Sequence, residues 1–391
     1  MYQSHYSKFL AANPNRLHFA AHSHHLWLDV TREAQLQYWD DSAAYVDKKW
    51  AHIFSEVVPK AQRHIAAALQ LSFPEQIVFA PNTHEFVARL LSCLDWTKPV
   101  TILTTDSEFY SFTRQLQRLE ELPELKQRLC VRRIAAEPFE TFESRFIEAI
   151  EQESVELIFF SHVFFNSGFA IADVERIVKS VQSKQTMIVI DGYHGFMAMP
   201  TSLSAIESRV FYLSGGYKYA QAGEGVCFLA VPKGSPHRPI YTGWFAEFGK
   251  LADRQSDAVP YSDDGFRFAG ATLDPSGLYR FNAAMDWLAA HLLTVDKIHA
   301  YVQHLQQTFL HCLDASRLSC LSSESLVPPK AFMQRGHFLT FNLPNAATLE
   351  ADLLKRDIVV DRRGERLRFG FGLYQTEADI EELFKRMKDI E

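Results

Sequence analysis

Cysteine is scarce in this chain: Cys93, Cys130, Cys227, Cys312 and Cys320 are the only five in 391 residues, and they lie far apart. No CxxC pair occurs. An odd, scattered set argues against a disulfide framework and against a structural zinc site, so free thiols in a reducing cytoplasm are expected. Clustered positive charge is also missing. Lys and Arg total 40 against 47 Asp and Glu, the formal charge is −7, and no basic run exceeds two residues. Nucleic-acid binding needs clustered cations, which excludes it as the main function. Nowhere does the chain approach the roughly 18 uninterrupted apolar residues of a membrane-spanning helix. The opening Met1-Tyr-Gln-Ser-His-Tyr-Ser-Lys lacks the apolar centre of a secretory signal. The expectation is a soluble, cytoplasmic protein that partners neither membrane nor nucleic acid.

What is present suits a globular fold. Hydrophobic residues make up 47% and charged residues 22%, more apolar than a disordered chain. The 31 Phe residues imply aromatic-rich buried surfaces. The length suggests one large and one smaller domain.

Short, nearly continuous apolar runs predict strands at Gln76–Ala80, Val100–Thr104, Glu156–Ser161, Met187–Asp191, Arg209–Ser214 and Val226–Val231. Runs without alternation fit strands buried on both faces of a sheet. Amphipathic segments lie between them at His84–Leu94, Phe109–Glu120, Phe142–Glu151 and Asp173–Ser183. The alternation predicts an α/β fold with a parallel sheet between helices. The last two strands have no room for a helix between them, which leaves a hairpin or a bent crossing. Gly249–Gly277 is rich in Gly, Asp and Pro. A helical region at Gly277–Ala315 follows, then strands at His337–Asn342 and Leu367–Phe371 and a helix at Ala347–Lys355. A last helix starts at Glu377, where Thr376 and Asp379 form a capping box. The reading is an arm (1–30), a large domain (31–255) and a smaller α+β domain (256–391).

Three clusters could carry chemistry. Asp191-Gly-Tyr-His194-Gly ends a central strand, where ligands sit in open α/β sheets, although a turn or cap aspartate would read the same. Lys218 lies in the glycine-loaded loop Ser214-Gly-Gly-Tyr-Lys-Tyr-Ala-Gln-Ala-Gly-Glu-Gly225, with no charged neighbour before Glu224. A desolvated lysine there offers a free amine for Schiff-base chemistry, or a point charge for a phosphate. The loop is not a GxxxxGK[ST] phosphate loop. Asn82-Thr-His-Glu-Phe opens a helix, whose N-terminus suits an anion; a plain N-cap is the alternative. An amine, a carboxylate and an anion cradle together are what pyridoxal phosphate needs.

These residues resemble fold-type-I pyridoxal-phosphate enzymes of the class V aminotransferase group, in particular the kynureninase branch. The resemblance runs from about Leu17 to the C-terminus. It rests on DGYH at Asp191–His194, YKYAQAGEG at Tyr217–Gly225, GWF at Gly243–Phe245 and LRFGFGLYQTEADIEEL at Leu367–Leu383. It implies a mostly parallel sheet of the seven-stranded type, sandwiched by helices, and a smaller C-terminal α+β domain. Lys218 would be the Schiff-base lysine, Asp191 the partner of the pyridinium nitrogen, and His194 a neighbour of the ring hydroxyl. Thr83, His84 and Tyr217 would meet the phosphate, and Phe109 would stack on the ring. Trp244 and Thr272 would reach the phosphate from a neighbouring subunit, which implies a homodimer. Arg368 would grip the substrate α-carboxylate.

The implied activity is kynureninase-like hydrolysis of a Cβ–Cγ bond, or transamination, of an α-amino acid. Where kynureninases carry a GNSLG-like segment, this chain reads Ala21-His-Ser-His-His-Leu. Where they carry S-N-P after F-R, it reads Phe266-Arg-Phe-Ala-Gly-Ala-Thr-Leu-Asp-Pro, closer to the G-T element of other class V aminotransferases. Cysteine desulfurases of the group need a cysteine on a loop before the carboxylate-binding arginine; none lies between His337 and Arg368. Arg362 and Arg363 read as a solvated charged turn. Two other classes stay open: a non-catalytic phosphate- or nucleotide-binding α/β protein, and a metal-dependent hydrolase built on His18, His22, His24 and His25. Consecutive histidines in one loop give poor ligand geometry, so no metal is expected.

Overall fold

The computed structural model describes residues 2–247, 258–316, 318–332, 334–388 and 390. In chain order its strands are β1 (Leu17–His18), β2 (Ile77–Ala80), β3 (Val100–Thr105), β4 (Leu129–Ile134), β5 (Leu157–Ser161), β6 (Met187–Asp191), β7 (Val210–Gly215), β8 (Cys227–Ala230), β9 (Leu326–Val327), β10 (Phe338–Asn342), β11 (Ile358–Val359), β12 (Asp361–Arg363) and β13 (Arg366–Gly370).

A seven-stranded sheet runs in the order β2-β8-β7-β6-β5-β3-β4. Strand β8 is antiparallel to β2 and β7, and the other pairings are parallel. Alternate side chains leave the sheet on opposite faces, and both faces are covered. Ile158, Phe160, Ile188 and Ile190 pack in one core with residues of helices Val58–Leu69, Phe142–Gln152 and Ser276–Ala290. Leu157, Phe159, Met187 and Val189 pack in another with helices Thr83–Leu91 and Tyr110–Glu120. This is why the strands read as unbroken apolar runs. The fold is α/β, as the sequence predicts.

Strand β4 departs from that pattern and escapes a sequence reading. It pairs only with β3, at the sheet edge, and is half-buried, so Arg132 and Arg133 interrupt its apolar residues. Helix Val30–Tyr45 escapes for a related reason: Thr31 is its one buried residue, and no apolar stripe marks it. The helical region expected at Gly277–Ala315 is two helices, Ser276–Ala290 and Val295–Ser316, separated by a break where Leu292 takes φ 53°. Between β7 and β8 the hairpin alternative holds. Tyr212 faces Ala230 and Gly215 faces Cys227, with residues 216–226 as the loop. Of the Gly-, Asp- and Pro-rich stretch 249–277, residues 249–257 lie outside the described residues.

A second, antiparallel sheet has the order β12-β13-β10-β9. Its core joins Leu339, Phe341, Leu367 and Phe369 to Phe309, Leu353 and Leu383 of three helices. The capping box at Thr376 and Asp379 is present. The N-terminal stretch ties the two regions together. Strand β1 pairs in parallel with β11, Ala20 bridges Gly370, and Tyr6 is buried in the core of the large sheet. Among the described residues no helix is long and apolar enough to cross a membrane.

Parallel strands β5, β6 and β7 end side by side, with Ser161 opposite Asp191 and Asp191 opposite Leu213. Their carboxyl ends therefore open on one region, into which the loop after β7 carries Lys218. Phe159 fastens this region to the next helix, its ring stacked on Phe112 at 3.8 Å and 4°. Replacing Phe159→Ala is expected to cost about 3–5 kcal/mol by opening a cavity under that helix, read from the urea midpoint.

Candidate active site

Past the carboxyl ends of these strands lies a cavity of about 340 Å³. Lys218, Asp191, His194, Thr83, His84, Phe109 and Tyr217 line it together, joined by Asn82, Ser161, Phe165, Tyr193 and Cys227. Helix Thr83–Leu91 begins at its wall. Asn82 caps that helix by accepting from the Glu85 amide, and the helix presents its positive end to the cavity. The cap reading and the anion reading of Asn82-Thr-His are thus compatible. His84 is held by the Gln115 side chain at 2.9 Å, and the Tyr217 hydroxyl meets His24 Nδ1 at 2.7 Å.

The Lys218 Nζ lies 2.5 Å from His194 Nε2 and over the rings of Tyr193 and Phe109, at 5.0 and 5.9 Å from their centroids. Burial lowers its pKa to about 7, and the positive field of Arg368 pushes the same way, against the pull of Asp191. His194 is held neutral, well below the usual imidazole range, by burial and then by Lys218. Asp191 is raised to about 6 by burial, opposed by the Tyr193 amide that donates to its Oδ1 at 2.9 Å and by Lys218. The site thus holds an amine poised near neutrality and a carboxylate that burial makes eager for a cation.

Trp244 and Thr272 are elsewhere. Thr272 lines a second cavity, of about 380 Å³, with Glu85, Arg89, Tyr241 and Asp274, and Trp244 is half-exposed at the turn Trp244–Glu247. Arg368 is buried and does not line the first cavity, although it touches Phe165, which does. Its Nη2 meets Asp361 Oδ1 at 2.8 Å, a second nitrogen donates to the Phe165 carbonyl, and its Nε has no partner. Asp361, which sequence reasoning passed over, is buried and also pairs with Arg363 at 3.1 Å. Arg362 and Arg363 are therefore part of strand β12 and not a turn; Arg362 pairs with Glu350. Only the opposite-register strand, which sets Asp361 against Arg368, reveals this pair.

Glu108 was missed, and His22, weighed above only as part of a possible metal set, is buried. Glu108 directly precedes Phe109 and is buried, which nothing in its sequence neighbourhood marks. His22 is fully buried, stacked on Phe338 at 4.6 Å, with both ring nitrogens unpartnered. The other histidines of the arm point to separate partners: His18 to the Tyr374 hydroxyl, His24 to Tyr217, His25 to the Leu26 carbonyl. Among the described residues no three His, Cys, Asp or Glu side chains group as a metal would require.

A mostly parallel seven-stranded sheet, with an amine and a carboxylate meeting beyond its carboxyl ends, defines the fold-type-I class, whose cofactor is pyridoxal phosphate. A family model described as aminotransferase class-V matches residues 23–383, and the chain belongs to that family. Among solved structures it is similar to the cystine C–S lyase C-DES, bound to its product cysteine persulfide (17% identity, TM-score 0.79, 97% of this chain and 99% of that one). It is also similar to an apo cysteine desulfurase from Thermococcus onnurineus (16%, 0.78, 96% and 95%) and to the Escherichia coli cysteine desulfurase CsdA (14%, 0.76, 97% and 97%). At such identities the likeness is one of fold. A search of curated protein sequences returns no match.

The lowered amine pKa sets a pH dependence. Lys218 loses its proton as pH rises through about 7, so its reaction with an aldehyde should rise between pH 6 and 8 and level off above. An ordinary lysine would still be rising near pH 10. Borohydride trapping of a small aldehyde on cofactor-free protein, mapped by mass spectrometry, checks this. A midpoint near 10 would show that the amine is solvated.

Proposed function

We propose that this protein is a pyridoxal-phosphate enzyme acting on an α-amino acid, with kynureninase-like Cβ–Cγ hydrolysis as its reaction and transamination as the alternative. The observation that carries the reading is the convergence of the Lys218 amine and the Asp191 carboxylate on one cavity. The residues fit the cofactor. Asp191 has no cationic side chain in ion-pair contact among the described residues, and a protonated pyridine nitrogen would supply one. Thr83 and His84, at the positive end of a helix, and Tyr217, on the same cavity, suit its phosphate. Phe109 offers an aromatic face on the same cavity, and His194 would stand near the ring hydroxyl. When bound, the cofactor supplies an electron-withdrawing ring that stabilises negative charge on the substrate Cα.

The chain's own groups do the rest. Lys218, which desolvation leaves partly uncharged at neutral pH, would hold the cofactor at its aldehyde carbon, and its amine would move the proton at the substrate Cα. His194, neutral and 2.5 Å away, holds that amine in place. Arg368 would orient the substrate carboxylate, with Asp361 and the Phe165 carbonyl fixing the guanidinium plane. Trp244 and Thr272 would complete the phosphate site of a second subunit, making a homodimer the working unit, placed in the cytoplasm. Desulfurisation is not part of this reading, although two similar structures are named as desulfurases. Between His337 and Arg368 there is no cysteine, and Cys227 on the cavity wall is pushed up to about 12 by burial, which keeps it a poor nucleophile. For the domains we keep an arm (1–30), a large domain (31–255) and a small one (256–391), with helix Ser276–Ala290 packed on the large-sheet side.

Purified protein should be yellow and lose that colour irreversibly with borohydride, and Lys218→Ala should abolish the reducible chromophore. A chromophore that survives in Lys218→Ala would overturn the reading. A panel of amino acids including kynurenines then separates the reactions: alanine with an anthranilate marks hydrolysis, a keto acid marks transamination. Thr272→Ala is expected to weaken cofactor retention roughly tenfold, the size of one lost hydrogen bond to a charged group, with the denaturation midpoint of the cofactor-free protein unchanged. Equal retention would remove the shared-site part of the proposal.

A further inference from the structure

Glu108 is a carboxyl group fully enclosed between two strands of the large sheet and used by none of the steps above. Its Oε1 accepts from the Thr105 hydroxyl at 2.6 Å and from the Ser161 amide at 3.1 Å, and its Oε2 meets the Ser161 hydroxyl at 2.5 Å. Thr105 is the last residue of β3 and Ser161 the last of β5. Ser161 is also the direct register partner of Asp191 on β6. One side chain therefore ties together the ends of two neighbouring strands, β3 and β5, the second of which pairs with β6 at Asp191. The residue after it, Phe109, has extended backbone (φ −67°, ψ 150°) and stands at the start of helix Tyr110–Glu120 with no side-chain cap. Its ring is partly exposed on the cavity and has no buried socket of its own. What fixes the Phe109 backbone is the loop before it. There Thr105 also accepts from the Ser107 amide, and Asp106 accepts from the Ala136 amide at 2.9 Å.

An acid enclosed in a sheet costs stability unless its contacts are needed, and an alanine here would leave the Ser161 amide without a partner. Burial raises this carboxyl to about 8, with Asp191 adding to the effect, so at neutral pH it is mostly the uncharged acid. An amide of the same shape can then replace it: glutamine Oε1 accepts from Thr105 and the Ser161 amide, and its NH₂ donates to the Ser161 hydroxyl.

We propose that Glu108 is a positioning residue, which clamps the ends of β3 and β5 and so holds the Phe109 ring over the cofactor and Asp191 beneath it. The inference rests on the reading that the cavity takes pyridoxal phosphate. It concerns a residue that touches neither cofactor nor substrate.

The test uses holoenzyme and two readouts besides turnover: the cofactor dissociation constant, and the visible circular dichroism per bound cofactor, which reports how rigidly the ring is held. Glu108→Ala is expected to weaken cofactor binding about tenfold and to reduce the dichroism, while Glu108→Gln restores both. In a Phe109→Leu background the Glu108→Ala change should lose most of its effect, because the two act as one unit. Thr105→Val, which keeps shape and removes both hydrogen bonds of that hydroxyl, to Glu108 and from the Ser107 amide, should give a loss in the same direction and serves if Glu108→Ala fails to fold. Unchanged binding and dichroism in Glu108→Ala, or in Thr105→Val where that variant stands in, would overturn the proposal. So would failure of Glu108→Gln to restore them, or full additivity with Phe109→Leu. Wild-type protein with no borohydride-reducible chromophore would instead overturn the cofactor reading itself, which keeps the two failures apart.

Discussion

The Lys218 amine has been moved out of bulk water and set against an imidazole instead of an acid. Its nearest polar contact is His194 at 2.5 Å, itself neutral, and its other neighbours are two aromatic faces. Desolvation is the largest influence on this amine, and the nearby positive charge of Arg368 adds to it, while Asp191 and Asp361 pull the other way. Had a carboxylate been placed in contact, the amine would be a permanently charged half of an ion pair and useless as a nucleophile. The structure separates the two roles. Asp191 shares the cavity but spends one oxygen on a backbone amide.

That arrangement depends on how tightly β6 and β7 approach one another. Gly192 follows Asp191, and a side chain there would fall 1.9 Å from the Tyr212 ring. Only glycine lets the chain turn away from the sheet at this point with Tyr212 packed beneath it. On the other side of the site, buried charge is handled by sharing. Asp361 serves both Arg363 and Arg368, so the cluster carries one excess positive charge. The Nε of Arg368 is enclosed and has no hydrogen-bond partner.

Much of the large sheet could be read directly from the chain. Met187–Asp191 is found with the bounds expected of it, because a central strand with both faces covered has no choice but to be apolar throughout. Where a segment has only one neighbour or one wet face, as in β4 and helix Val30–Tyr45, that pressure is absent and the signal fades. Seven of the ten site residues expected from the sequence line one cavity. Arg368 is buried in an ion pair and is not among its lining residues, and Trp244 and Thr272 lie apart from it. Glu108 and Asp361 were not legible, since a charged letter in a sequence looks solvated until its register partners are known.

The amino-acid order by itself determined which segments become buried strands, where helices are capped, and which side chains, Lys218 and Asp191 among them, stand just past a strand end. Those are local matters of periodicity, turn chemistry and propensity. The tertiary structure decided which strand ends lie side by side, that Glu108 spans two of them, that Asp361 faces Arg368, and how far each buried group's proton affinity moves. These depend on sheet order and on the loss of water around groups distant in the chain, and no local pattern encodes either.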